Sequence, residues 1–99
     1  MNKKKFRWSK VYESSEEELA DLLRARNISA TRTVAEPSGE QLQQISERER
    51  TIWCGEGWLI VRTKATSITL QPGDATRVSA HTPYDLQAGE AGCTYYVSG

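Results

Sequence analysis

The sequence predicts an all-β domain carrying one short N-terminal helix. Two observations predict it. From Thr51 onward, β-prone segments are broken by turn signals about every 8–12 residues, the spacing of a small barrel or sandwich. Only one stretch of the chain carries clear helical periodicity. Length sets the scale: 99 residues, 37% of them apolar, suit a single domain over residues 1–99. Folding at this size buries about two-thirds of the unfolded chain's surface, enough for one core without staples.

Within residues 1–12, Phe6, Trp8 and Tyr12 share one face at the strand period of two, opposite Arg7 and Val11, which predicts an N-terminal strand over residues 5–12. The helix is predicted over residues 15–26. Ser15 is a good N-cap, Glu18 stands three residues on, and Glu16 and Glu17 favour the positive end of the helix dipole. Leu19, Leu22 and Leu23 then form one apolar stripe, and Asn27 stops the run. One short helix cannot bury itself, so it packs outside a sheet.

Residues 29–36 are rich in Thr and Val and end at Pro37-Ser38-Gly39. Residues 40–50 are ambiguous, because Leu42 and Ile45 fit either a helical turn or an irregular edge. Strands over residues 51–54 and 58–63 are expected to flank a turn at Gly55-Glu56-Gly57. Residues 67–70 run into Gln71-Pro72-Gly73-Asp74, and residues 76–79 lead to a loop at 80–83. Residues 84–86 and 93–97 flank a turn expected at 89–92. The barrel therefore occupies residues 29–97.

Composition excludes several functions. The longest apolar run, residues 58–61, is four residues, far short of the ~20 a membrane span needs. The basic start leads into Glu13 and Glu16 to Glu18 rather than an apolar stretch, so no signal peptide is expected and the chain is expected to be cytoplasmic. Thirteen basic and thirteen acidic residues cancel, with +5 on residues 1–10 and −4 on residues 11–50. Charge gathered at one terminus is read as a solvated end rather than a nucleic-acid contact. Cys54 and Cys93 stand in no ligand spacing and read as packed thiols, with a disulfide open if their strands prove adjacent. No Gly-rich phosphate loop, HExxH or Gly-x-Ser-x-Gly occurs, and no cofactor is predicted.

Leu70-Gln71-Pro72-Gly73-Asp74 followed by Arg77-Val78-Ser79-Ala80-His81-Thr82-Pro83-Tyr84 resembles the second motif of the cupin superfamily. The preceding Trp53-Cys54-Gly55-Glu56-Gly57-Trp58-Leu59-Ile60-Val61 resembles the hairpin that closes the first motif, and the likeness covers about residues 40–97. It implies a small cupin-type β-barrel, a jelly roll or double-stranded β-helix of about eight strands. Metal-binding cupins take two His and a Glu from the first motif and a third His from the second. Carried over by position, the second-motif ligand falls on Tyr84 and the glutamate on Arg50. The histidines fall on Gln44 and Ser46, or on Ile45 and Glu47, while the sole His81 stands where the motif has Gly. The resemblance thus implies a degenerate metal site, since a cation at Arg50 repels a metal.

If the barrel mouth is kept, Gln44, Arg50 and Tyr84 present an amide, a cation and a phenol to an aromatic-lined cavity. Such a site suits a small anionic or polar ligand. Ser46, Glu47, Trp53 and His81 complete the candidate pocket. The bland alternative has Arg50 facing solvent and Tyr84 and Trp53 filling the barrel. Three functions follow: a small-molecule-binding or regulatory module, an atypical cupin enzyme using a metal or acid–base work by His81 and Tyr84, and a structural or interaction module. An aromatic N-terminal strand left at a sheet edge further predicts a homodimer with residues 5–12 in the contact.

Overall fold

Two long antiparallel strands carry the architecture. β4 (Arg50–Arg62) and β7 (Tyr84–Ser98) lie side by side from Ile52↔Val97 to Arg62↔Asp85. The other elements are β1 (Phe6–Arg7), α1 (Glu16–Ala25), β2 (Ala30–Ala35), β3 (Glu40–Gln44), β5 (Ser67–Leu70) and β6 (Asp74–Val78). The computed structural model describes residues 5–8 and 15–98. Residues 9–12 of the expected N-terminal strand lie outside them.

In one half of the molecule the strands run β1-β6-β4-β7-β2. In the other, β5 pairs with the end of β4 and β3 with the start of β7. Both long strands therefore belong to two facing sheets, and bending them folds a single sheet into a barrel. Here the structure corrects the sequence reading. Residues 55–57 and 89–92 are not hairpin turns; they are corners inside β4 and β7, where the pairing register shifts. Gly57 shows why glycine is needed. Its φ is +70°, and a Cβ there would stand 2.2 Å from the Gly92 carbonyl oxygen. Extra residues at such a bulge bend the strand without ending it.

Alternation along the strands sorts the side chains. Ile52, Cys54, Leu59, Val61, Leu70, Val78, Leu86, Ala88, Cys93 and Tyr95 face inward as one buried cluster. Cys54 and Cys93 sit on neighbouring strands with their sulfurs 3.9 Å apart, both as buried free thiols. The hydrogen bond between them, and then burial, push the Cys54 thiol far above its ordinary range.

The outer face of the first sheet carries a second cluster of Leu19, Leu23, Trp53, Ala75 and Tyr96. These are the helix stripe and the outward residues beneath it. Ser15 caps α1 by accepting a hydrogen bond from the Glu18 amide at 3.2 Å. Arg32 and Tyr96 both donate to the Glu16 carboxylate, the Tyr96 hydroxyl at 2.7 Å. These bonds pin the helix start to β2 and β7, and they hold the Glu16 carboxyl below its ordinary range, Arg32 contributing most.

The Pro72-Gly73 turn enters β6 with Gly73 at φ +98° and the Asp74 amide donating to Gln71 O at 2.8 Å. The buried Asp74 carboxylate accepts from the Gln71 amide at 3.1 Å, Lys5 Nζ at 3.1 Å and an Arg7 nitrogen at 3.0 Å. It is a structural hub that docks β1 on the corner. Among the described residues, no helix is long and apolar enough to cross a membrane.

Candidate functional site

Between the free sides of β2 and β3 the barrel holds a cavity of about 280 Å³. Strand parity explains its lining. Arg50 is in phase with the inward Ile52 and Cys54, so β4 opens by presenting a guanidinium to the interior. Tyr84 and Leu86 come from the start of β7, Tyr95 and Val97 from its end, and Thr31 and Thr33 from β2. β3 adds Gln41 and Gln44, three residues apart, through an irregularity that a regular strand would not allow. Gln43 takes φ +55° there, and its amide donates to Asp85 Oδ1 at 2.8 Å. Asp85 thus holds the bulge that turns both glutamines onto one wall.

The charge of this cavity is one-sided. Arg50 Nε is buried and makes no hydrogen bond, and among the described residues no carboxylate lies within ion-pair distance of Arg50. Burial pushes the Tyr84 phenol above its ordinary value, and the Arg50 charge beside it opposes part of that rise. Tyr95 is also raised, chiefly by burial and then by the Cys93 thiol. Both phenols are therefore neutral donors near pH 7. Among the described residues, the walls supply hydroxyls, amides and one cation, but no anion.

The structure divides the sequence-predicted residues into three groups. Gln44, Arg50 and Tyr84 meet in the cavity. Ser46 and Glu47 line a neighbouring surface depression with Ile45, Arg48 and Glu49, and Arg50 forms the boundary between the two. Trp53 and His81 lie elsewhere, which corrects their place in the pocket. Trp53 is one residue out of phase with Ile52, so it points away from the barrel and packs under α1. His81 is exposed on the 80–83 loop at φ +60°, and its backbone N–H donates to Ser46 O at 2.7 Å. Sequence reasoning missed Thr31, Thr33, Gln41, Leu86, Tyr95 and Val97. Alternation marks all but Gln41 as inward within their own strands, but nothing local says that the strands face one another, and Gln41 depends on the β3 irregularity.

A divalent metal does not fit this donor set. The cavity offers two amides, two phenols and two threonine hydroxyls around a cation, whereas a transition-metal site needs imidazoles, carboxylates or thiolates. Among the described residues, no group of three or more His, Cys, Asp or Glu could hold a metal ion.

No protein-family model matches the chain, and no curated protein matches it in sequence. Solved structures do. A cupin superfamily protein from Desulfitobacterium hafniense superposes with a TM-score of 0.65 at 8% identity, over 98% of this chain and 76% of its own. A protein of unknown function from Rhizobium leguminosarum gives 0.64 at 22% identity, over 72% of this chain and 68% of its own. The polyketide cyclase RemF from Streptomyces resistomycificus gives 0.61 at 20% identity, over 72% of this chain and 53% of its own. The fold is that of a small cupin barrel.

Proposed function

We propose that this chain is a small-molecule-binding cupin module whose cavity holds a small anion on Arg50. One observation carries the reading: a cation with a buried, unpartnered Nε lines a cavity that contains no carboxylate. Burying a donor nitrogen without a partner is costly, and an incoming carboxylate supplies it with an acceptor and the guanidinium with a counter-charge. Tyr84 sits beside the guanidinium and donates a further hydrogen bond, and Thr31, Thr33, Gln41 and Gln44 satisfy the remaining polar atoms of a ligand.

The arrangement favours binding over acid–base catalysis. His81, the sole histidine of the sequence, stands outside the cavity. Burial keeps the Tyr84 phenol protonated, so it donates a hydrogen bond rather than accepting a proton. The test is Arg50→Gln, titrated with small carboxylates by calorimetry. Affinity is expected to fall at least ~10-fold, because the ligand's carboxylate loses its counter-charge and paired donors. Unchanged affinity would refute the assignment of this cavity. Affinity is also expected to decline as pH drops through the ligand's own carboxyl pKa, since a guanidinium stays charged throughout.

A further inference from the structure

The Arg50 cavity has a neighbour. A second cavity of about 230 Å³ shares Gln41, Leu86 and Tyr95 with it, and its remaining wall includes Val34, Ala35, Leu59 and Ala88. β2 runs along both: Thr31 and Thr33 line the first, Val34 and Ala35 the second. From position 31 to position 35 a strand advances about 13 Å. The two cavities therefore adjoin across Gln41, Leu86 and Tyr95, the first lined mainly by polar groups and the second partly by aliphatic ones. Arg50, Tyr84 and the two threonines stand in the first, and aliphatic side chains in the second. At the far rim are Glu36 and Glu40, of which Glu40 lies 3.8 Å from Arg62. Glu36 has no such offset among the described residues.

We infer that the ligand is a monocarboxylate with a slender apolar tail, its carboxylate on Arg50 and its tail lying across Leu86 and Tyr95 into the second cavity. The inference rests on the reading of Arg50 given above and specifies the ligand it takes. A short acid does not reach the aliphatic wall, and each methylene that does adds affinity through its own surface removed from water. A dicarboxylate of the same length is disfavoured, because its second anion arrives at the rim of Glu36 and Glu40, where no free cation stands among the described residues.

Titration of the full chain with propionate, octanoate and suberate, followed by the chemical shifts of isotope-labelled protein, tests this. Octanoate is expected to bind at least ~10-fold more tightly than propionate, from partial burial of its additional methylenes. It should also exceed suberate by about as much. Ala35→Glu, in phase with the inward Thr31 and Thr33, places a carboxylate at the second cavity; it should narrow the gap between octanoate and propionate. Equal affinity for octanoate and propionate, or for octanoate and suberate, would overturn the tail assignment. The Arg50 reading would then still stand if Arg50→Gln weakened propionate binding. Should no carboxylate bind, or Arg50→Gln change nothing, both readings fall together.

Discussion

At the residue scale, two carboxylates tie outer elements to the barrel, and one cation faces inward with no carboxylate beside it among the described residues. Glu16 illustrates how position sets protonation. Arg32 and Tyr96 hold its charged form in place, so its folded-state pKa lies below the unfolded value. As pH falls, the unfolded chain takes up the proton first, and the stability that Glu16 contributes is lost through and below the ordinary carboxylate range near ~4.3. Glu16→Gln is accordingly expected to lower the melting temperature by a few degrees at pH 7 and to flatten its acid dependence, as read by thermal melts from pH 7 to pH 3. A variant that melts with the same acid slope as the parent would show that the helix tether carries no linkage. Asp74 is the harder case to replace, because it is almost fully buried and accepts from a backbone amide as well as from Lys5 and Arg7.

At the element scale, what the sequence made legible depended on whether the deciding interaction was local. The Ser15 cap with its leucine stripe, and the Pro72-Gly73 turn, are short-range constructions, and both stand where the residues placed them. The glycine corners are different. A glycine that ends a strand and a glycine that bends one look alike in sequence; what separates them is the approach of Gly92 to Gly57, a contact 35 positions away. Trp53 failed for a related reason. Its phase relative to Ile52 was readable, but both faces of this sheet are covered, one by the barrel and one by α1, so apolar character could not say which face was inside. The β3 bulge depends on Asp85 from another strand and gave no local signal. Gly57→Ala tests the corner directly. With φ at +70° and a carbonyl 2.2 Å from the new Cβ, it is expected to cost about 2–4 kcal/mol. Urea denaturation measures this, and a loss under ~0.5 kcal/mol, the scale of an ordinary surface change, would mean the corner relaxes freely.

At the scale of the whole molecule, the proposed homodimer rests on what the edges leave uncovered. Trp8 is committed to its own chain, donating from its indole to Cys54 O at 3.2 Å, whereas Phe6 stays 36% exposed with Arg77 over its ring. Light scattering at micromolar concentration is expected to give twice the chain's 11.1 kDa, and a single-chain mass would end the proposal. The continuity of β4 and β7 also decides where this scaffold accepts foreign sequence. A tag or grafted epitope placed at residues 55–57 or 89–92, which look like surface loops on paper, would cut through both sheets at once. The connection around Lys64 and Ala65 lies outside every strand and is exposed, so an engineer seeking a permissive splice point should choose it instead.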